Sequence, residues 1–229
     1  MYQKFQDIVA AAQQRSPKRV IAIAAAADEK MVHVAKAVTD MGLCDVILVG
    51  DEDALDVLLA EQGLRPEAVT IVDEKDPDRL GLRAVELVSS GKADILVKGK
   101  MNTSDFLRAV LNKEVGLRTG NTLSHVAVFE VKGIEQLLFL TDVAFMTYPT
   151  LEDKVHIIEN TVAVAHACGV ECPKVAPLAA VEVVNPKMPC TVDADELRKM
   201  NAEGKITGCV VDGPLSMDIA IDPEAAHHK

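Results

Sequence analysis

Apolar positions follow two different spacings along the first half of the chain. Short apolar runs, typical of buried strands, alternate with longer segments in which apolar residues recur at helical spacing. Asp28 can cap one such helix, in which Val34 and Val38 lie one turn apart. The pattern predicts strands at 19–25, 45–49, 69–72 and 93–97, and helices at 3–14, 29–41, 51–62 and 77–90, the last with Pro77 in its first turn.

This alternation of strands and helices predicts the fold class. Strands and helices joined by short turns form βαβ units, and such units build a mainly parallel sheet covered by helices. We therefore expect an α/β fold with a three-layer αβα arrangement. In sheets of this kind ligands bind beyond the carboxyl ends of the strands, and the loop from Lys98 to Ser104 lies at such an end.

The pattern changes in the second half. Two β segments flank Val131, Lys132 and Gly133, and this predicts a hairpin rather than another βαβ unit. Thr150, with Asp153 three positions later, predicts a capping box at the start of a helix. The change predicts two domains, at 1–120 and 121–229. The elements expected in the second are strands at 123–130, 136–141, 174–180 and 207–211, and helices from Thr150 to about 168 and from Thr191 or Asp193 to about 202.

Composition limits the classes of partner. The 229 residues are 49% hydrophobic, 26% charged and 3% aromatic, as expected for a globular protein. A net charge of −11 argues against nucleic acid or an anionic membrane as the main partner, because both require a broad basic surface. No apolar run approaches the roughly 20 residues of a membrane span.

The cysteines and the N-terminal segment indicate a cytoplasmic protein. Five scattered cysteines are an odd number and predict reduced thiols rather than a disulfide framework. Cys168 and Cys172, with His166 nearby, leave a metal site open, but no second pair of ligands follows, and no metal is predicted. The N-terminal segment is amphipathic and lacks the apolar centre of a signal peptide.

A local excess of positive charge lies at the carboxyl end of the fourth predicted strand. Between Lys98 and Arg118 there are five basic and two acidic residues, a local charge of 5 − 2 = +3. The side chains of Lys98, Lys100, Asn102 and Thr103, with the N–H groups of the next helix, can hold an anion. The alternative is a solvated turn in which Thr103 or Ser104 is an ordinary N-cap. Neither a P-loop nor a G-x-G-x-x-G motif is present.

A second polar loop and two aspartates complete the candidate site. Arg118 offers a fixed positive charge, Ser124 a hydroxyl and His125 an imidazole. His125 can be a general base near neutral pH, or a hydrogen-bonded structural residue at a strand edge. Asp142 and Asp212 each follow an apolar strand and can orient a substrate, bind a cation or cap the next helix.

Four segments together carry a family resemblance. They are 93–104, 116–130, 139–142 followed by Pro149-Thr150, and 211–221. In this order they resemble the phosphate acetyl/butyryltransferase family, and within it the phosphate butyryltransferase branch. The resemblance implies two αβα domains like those of the isocitrate/isopropylmalate dehydrogenases, with the site in the cleft between them.

The resemblance also implies a reaction and its residues. The family moves an acyl group, here butanoyl, between coenzyme A and inorganic phosphate without a covalent acyl-enzyme. Acyl-CoA and phosphate are then substrates, no cofactor is needed, and a homodimer or higher homo-oligomer is expected. Carried over by position, the catalytic residues are Thr103, Ser124 and Asp212, and the substrate-binding residues are Lys98, Lys100, Asn102, Arg118, His125 and Asp142.

One departure from the family pattern keeps other functions open. Family members continue with a tail that carries a Ser-Arg pair and an aspartate, whereas this sequence stops at Lys229, so we expect a second domain that is incomplete at its C-terminus. The alternatives are a phosphate acetyltransferase and a non-catalytic remnant that binds CoA or acyl phosphate. A metal-dependent dehydrogenase on the same fold would need clustered carboxylates, which the sequence does not offer.

Overall fold

Four strands of the first half form one parallel sheet in the computed structural model, which describes residues 1–228. The order in the sheet is β3-β2-β1-β4, and each pair of neighbouring strands is parallel. The predicted α/β fold with a parallel sheet is confirmed. The strands are β1 (Arg19–Ala24), β2 (Cys44–Gly50), β3 (Thr70–Asp73) and β4 (Ile95–Lys98).

Helices cover both faces of this sheet, because alternate side chains of a strand point to opposite faces. Ile21 and Ile23 of β1 pack in one buried cluster with residues of α2 (Glu29–Asp40) and α3 (Glu52–Gln62). Ala22 and Ala24, their neighbours along β1, pack in a second cluster with residues of α4 (Leu80–Ser89). The helices of this half are α1 (Phe5–Gln13), α2 (Glu29–Asp40), α3 (Glu52–Gln62), α4 (Leu80–Ser89) and α5 (Thr103–Val110).

Local sequence explains most of these helix ends. Asp28 is the N-cap of α2 as predicted, and its side chain accepts from Lys30 N. The prediction that Pro77 lies in the first turn of a helix was wrong, since α4 begins at Leu80. The Asp76 side chain accepts from Asp78 N at 3.0 Å and its carbonyl accepts from Arg79 N at 3.0 Å. These bonds form a turn that delays the helix.

The hairpin and the capping box predicted in the second half are both present. The strands β5 (Ala127–Phe129) and β6 (Leu138–Leu140) pair antiparallel, and each is shorter than predicted. Helix α6 (Leu151–Ala167) follows Thr150, whose side chain accepts from Asp153 N while the Asp153 side chain accepts from Thr150 N. A pattern confined to four residues thus determined this helix start.

The remaining elements are shorter or begin earlier than predicted. The strands β7 (Lys174–Val175) and β8 (Val210–Val211) pair parallel, and Pro177, which has no N–H to donate, lies where β7 was expected to continue. Helix α7 (Pro189–Ala202) begins before Thr191, so neither Thr191 nor Asp193 is its N-cap. Thr191 is instead fully buried and accepts from Asn185 N at 2.8 Å. Two short helices follow, α8 (Met217–Ile221) and α9 (Pro223–His227).

Contacts divide the chain into two compact units, 8–120 and 1–7 with 121–229. The first contains the parallel sheet, and the second has its own buried cluster, which includes Ile158, Leu197 and Ile206. Whether either unit is an independent domain, as predicted for 1–120 and 121–229, stays a prediction. Within residues 1–228 every helix is too short or too polar to cross a bilayer.

Candidate functional site

The loop after β4 passes very close to the end of β1. Gly99 N donates to Ala24 O at 2.8 Å, and Lys100 N donates to Ala25 O at 3.1 Å. A Cβ on Gly99 would come within 2.5 Å of Ala25 O and closer still to Ala24 O, so only glycine fits here. Ala25 itself has φ +53°, in the left-handed region that is unfavourable for a residue with a side chain. The backbone at this strand end is therefore fixed by close packing.

Both lysines of this loop have partners within the unit 8–120. Lys98 Nζ turns back onto its own loop and donates to Met101 O at 2.9 Å. Lys100 Nζ lies 3.1 Å from Asp28 Oδ2, and this ammonium is the main reason that the pKa of the Asp28 carboxyl is lowered. Since Asp28 also caps α2, Lys100 ties the loop to the start of that helix. The lysines hold the loop in shape as well as carrying charge.

Helix α5 begins at the end of this loop. Its N-cap position is occupied by Asn102, so the alternative in which Thr103 or Ser104 is the N-cap was wrong. The Asn102 side chain does not cap the helix but donates to Asp105 Oδ2 at 3.3 Å. Thr103 and Ser104 are exposed in the first turn, where the N–H groups of a helix have no intrahelical acceptor. This end of the loop presents hydroxyls and N–H donors together.

The positive charges that follow α5 differ in their surroundings. Arg108 pairs with Asp105 at 3.0 Å, one turn earlier on the same helix. Arg118 is exposed, and within the unit 8–120 no carboxylate lies within ion-pair distance of it. Lys98 and Lys113 also form no ion pair with a carboxylate of this unit, so three of the five predicted positive charges, including Arg118, are left to attract an anion.

In the other unit, Asp142 organises the end of β6. Its carboxylate accepts from His125 N at 3.0 Å, Ala144 N at 2.7 Å and Phe145 N at 2.8 Å. Burial disfavours the charged form of this carboxyl, but the three donors outweigh burial, and the pKa of Asp142 is lowered. The His125 ring packs against the Phe145 ring, with centroids 5.6 Å apart. Asp142 therefore fixes the backbone around His125.

Three polar side chains of α6 hold the loop that precedes β5. Thr122 Oγ1 donates to Asp153 Oδ1 at 2.8 Å and lies 3.2 Å from His156 Nδ1. Asn160 Nδ2 donates to Thr122 O at 3.1 Å and to Ser124 Oγ at 2.9 Å. The hydrogen bonds from Thr150 and Thr122 lower the pKa of Asp153. This loop, with Ser124 at its end, is tied to one face of the helix.

Asp212 lies immediately after β8. It takes part in none of the hydrogen bonds described above for Ser124, His125 and Asp142. Its N–H donates to Val175 O at 3.0 Å, which extends the β7–β8 ladder by one bond, and its side chain is exposed. The hydrogen bond with Asp195 is the main reason that the pKa of the Arg198 guanidinium is raised, and the negative charge of Asp212 adds to it.

The predicted residues thus form two local groups. Lys98, Lys100, Asn102 and Thr103 lie together after β4, with Arg118 beyond α5. In the other unit Ser124 and His125 are adjacent in the chain, His125 N donates to Asp142, and Ser124 accepts from Asn160 rather than bonding to either of them. Asp212 is joined to none of these three by the bonds described for its unit.

Sequence patterns did not reveal the row of polar side chains on α6 that contacts the loop before β5. Asp153, His156 and Asn160 are spaced by three and four residues, which places them on one face of the helix. That spacing was visible in the sequence, but nothing local indicated that the face would contact 122–124. No group of three metal-ligating side chains lies together anywhere in residues 1–228.

Comparison with known proteins extends this description. A family model described as "Phosphate acetyl/butaryl transferase" matches residues 4–82 and 78–229. A phosphate butyryltransferase of Clostridium acetobutylicum is 53% identical over 229 residues, which are 100% of this chain and 76% of that protein. A phosphate acetyltransferase of Thermotoga maritima is 40% identical over 215 residues, 94% of this chain and 73% of that protein.

Solved structures give the same picture of the fold. A branched-chain phosphotransacylase from Enterococcus faecalis V583 superposes with a TM-score of 0.80 at 31% identity, covering 92% of this chain and 73% of that one. A phosphotransacetylase from Streptococcus pyogenes has a TM-score of 0.79 at 20% identity, covering 98% of this chain and 77% of that one. The second likeness concerns the fold alone.

Proposed function

The chain belongs to the phosphate acetyl/butyryltransferase family, as its sequence predicted, and we propose that it transfers a butanoyl group between coenzyme A and inorganic phosphate. The products in one direction are butanoyl phosphate and free CoA. The observation that carries this proposal is the 53% identity to a phosphate butyryltransferase along the full 229 residues. No cofactor takes part in the proposed reaction, since CoA and phosphate enter it as substrates.

The preference for butanoyl over acetyl rests on the degree of similarity. Identity is 53% to the butyryltransferase of Clostridium acetobutylicum and 40% to the acetyltransferase of Thermotoga maritima. Each methylene that fits an apolar pocket contributes only about 0.8 kcal/mol, so we expect a preference among acyl lengths rather than strict exclusion.

The chemistry needs positioning and charge stabilisation more than a nucleophilic side chain. A phosphate oxygen attacks the thioester carbonyl, a C–O bond forms, the C–S bond breaks, and the sulfur leaves as the CoA thiolate. Negative charge develops on the carbonyl oxygen, where a fixed hydroxyl or N–H donor stabilises it. In the reverse direction the thiolate attacks the acyl phosphate. No acyl-enzyme is formed in either direction.

The proposed residue roles are those carried over from the family resemblance, and the local geometry supports several of them. Thr103 and Ser124 offer hydroxyls that can donate to phosphate or to the acyl oxygen, and Asp212 completes the catalytic set. Arg118 supplies a positive charge that no carboxylate of the unit 8–120 neutralises, which suits it to phosphate. In the proposal Lys98, Lys100, Asn102, His125 and Asp142 form the rest of the substrate-binding set.

We extend the proposal to the molecule as a whole. For the fold we propose the two-domain, three-layer αβα arrangement of the isocitrate/isopropylmalate dehydrogenases. The helices on both faces of the parallel sheet support it. The protein acts as a cytoplasmic homo-oligomer. All five cysteines are free thiols, which suits a reducing compartment.

A thiol-release assay tests the function. The 229-residue protein is incubated with phosphate and acyl-CoAs of two to five carbons, and free CoA is measured. We expect phosphate-dependent release with the highest kcat/KM for butanoyl-CoA. Best turnover of acetyl-CoA would favour the acetyltransferase alternative. CoA binding without turnover of any acyl-CoA would favour the non-catalytic alternative.

A further inference from the structure

Asn160 makes two hydrogen bonds to the loop that carries Ser124. Its Nδ2 group donates to Thr122 O at 3.1 Å and to Ser124 Oγ at 2.9 Å, and the side chain is partly buried on α6. Both bonds cross from the middle of a long helix to a loop more than thirty positions earlier in the sequence, with separations of 38 and 36 residues. The amide therefore links two elements that no local pattern connects.

The direction of the bond to Ser124 is determined by Thr122. A carbonyl oxygen can only accept, so the Asn160 group that faces Thr122 O must be the NH₂ group and not the oxygen. The same NH₂ group faces Ser124, and the Ser124 oxygen must accept from it. Rotating the amide by 180° would place two acceptors against each other.

This arrangement leaves the Ser124 proton for a substrate. A hydroxyl has one proton and two lone pairs, and Asn160 occupies one lone pair of Ser124. Ser124 Oγ acts as a donor in none of the hydrogen bonds described for residues 1–228. Accepting a bond also polarises the hydroxyl, which makes it a better donor.

We propose that Asn160 is a positioning residue for the acyl transfer, because it turns the Ser124 hydroxyl into a committed donor toward the anionic oxygen of phosphate or of the reacting acyl group. The inference rests on the proposed function and deepens it by assigning a direction to the Ser124 hydrogen bond. Asn160 itself does not touch the substrate. Asn160 acts on substrate binding only through the Ser124 hydroxyl.

A double-mutant cycle tests this dependence. Wild type, Asn160→Ala, Ser124→Ala and the double variant are compared by the dissociation constant for inorganic phosphate, measured by calorimetry, and by kcat/KM for butanoyl-CoA. Each single change is expected to weaken phosphate binding about tenfold, the typical effect of one hydrogen bond to a charged group. The double variant is expected to be no weaker than Ser124→Ala, since Asn160 has nothing to act on without the hydroxyl.

Asn201 offers a matched control, because it is also a helical asparagine whose Nδ2 bonds to backbone oxygens. It donates to Ile206 O at 2.9 Å and to Cys209 O at 3.0 Å, far along the chain from Ser124. Asn201→Ala should lower the melting temperature but leave the phosphate affinity unchanged. If Asn160→Ala unfolds the protein, Asn160→Leu replaces it, because leucine keeps nearly the same volume but donates no hydrogen bond, and it should weaken phosphate binding to the same extent.

The outcomes separate this inference from the proposed function. Losses from Asn160→Ala and Ser124→Ala that add in the double variant, or an unchanged affinity in Asn160→Ala, overturn the positioning role alone. A wild type that binds phosphate but does not turn over any acyl-CoA overturns the proposed function, and the cycle in phosphate affinity still decides the role of Asn160. A wild type that does not bind phosphate overturns both.

Discussion

Single side chains around the two polar loops serve structure and charge at once. Lys98 and Lys100 were predicted as sources of positive charge for an anion, yet one donates to Met101 O and the other pairs with Asp28. Asp142 accepts three backbone N–H bonds in the turn after β6, but it caps no helix. The alternative in which Asp142 and Asp212 cap the next helix was wrong, since the N-caps of α6 and α8 are Thr150 and Ser216.

Replacing Gly99 by alanine tests the close packing after β4. The added Cβ would meet the carbonyl oxygens of Ala24 and Ala25, which are backbone atoms and cannot move aside alone. We expect Gly99→Ala to lower the free energy of unfolding by about 3 kcal/mol, at the upper end of overpacking effects, as measured by urea denaturation.

Gly81 provides the comparison for this change. It is also buried, but a Cβ there would first meet Met101 Cε at 2.9 Å, the end of a flexible side chain. Gly81→Ala should cost much less than Gly99→Ala, and alanine's higher helix propensity offsets part of that cost. If the two variants lost the same free energy of unfolding, the close contacts with the Ala24 and Ala25 carbonyls would not be the reason that alanine is unfavourable at position 99.

Asp142→Asn tests the pH dependence that the structure predicts. Because the pKa of Asp142 is lowered by folding, the carboxylate stabilises the protein above the unfolded-state pKa of about 3.9, and this stability is lost as pH falls through the folded-state pKa. An asparagine can turn only one oxygen toward the three N–H donors. Its NH₂ group would then oppose one of them.

The expected result is a stability difference that depends on pH. At pH 7 the variant should be less stable by about 1 kcal/mol, allowing for the partial exposure of the site. The difference should begin to shrink below about pH 4, where the carboxyl of the unfolded wild type takes up a proton while that of the folded protein is still charged. Urea denaturation from pH 3 to pH 7 measures it, and a difference that stays constant over this range would contradict the prediction.

At the scale of elements, α6 is both a structural helix and the support of a loop. One face contributes Ile158 and Val162 to the buried cluster of its unit. Another carries Asp153, His156 and Asn160 toward residues 122–124. Its N-terminal capping box shares Asp153 with this second face, so the start of the helix and the loop are stabilised by the same carboxylate.

Two substitutions separate the cap from the support of the loop. Thr150→Ala removes the cap bond to Asp153 N and should cost about 1 kcal/mol in the free energy of unfolding. Asp153→Ala removes the reciprocal cap bond and also the bond from Thr122, so its loss should be larger. Urea midpoints rank the variants. If Asp153→Ala lowered the free energy of unfolding by less than Thr150→Ala, the hydrogen bond from Thr122 to Asp153 would contribute nothing to stability.

At the scale of the whole molecule, stability comes from separate buried clusters. Leu48 is fully buried in the cluster formed by the parallel sheet with α2 and α3. Ile206 is buried in the cluster formed by α6, α7 and β8. The two clusters share no residue, and each lies within one compact unit.

Core truncations in each cluster test this organisation. Leu48→Ala and Ile206→Ala should each cost about 3 kcal/mol, since each leaves a cavity in a packed core. Hydrogen exchange followed by mass spectrometry should show faster exchange within 8–120 for the first and within 121–228 for the second. Acceleration of the other unit alone, for either variant, would contradict the assignment of these clusters.

The sequence predicted best what depends on neighbours along the chain. The order of strands and helices in the first half, the hairpin of β5 and β6, and the capping box at Thr150 were all confirmed. The errors at Pro77 and Thr191 come from short-range bonds that compete with helical periodicity. The Asp76 side chain accepts from Asp78 N, and Thr191 Oγ1 accepts from Asn185 N.

What the sequence alone determined was therefore the α/β fold, the family and the identity of the polar loops, because periodicity and capping act over a few residues. Only the tertiary structure decided where Lys100 places its charge, how short β7 and β8 are, and that Asn160 faces Ser124. Those outcomes depend on groups distant in sequence, and packing brings them within hydrogen-bond range where no local pattern can.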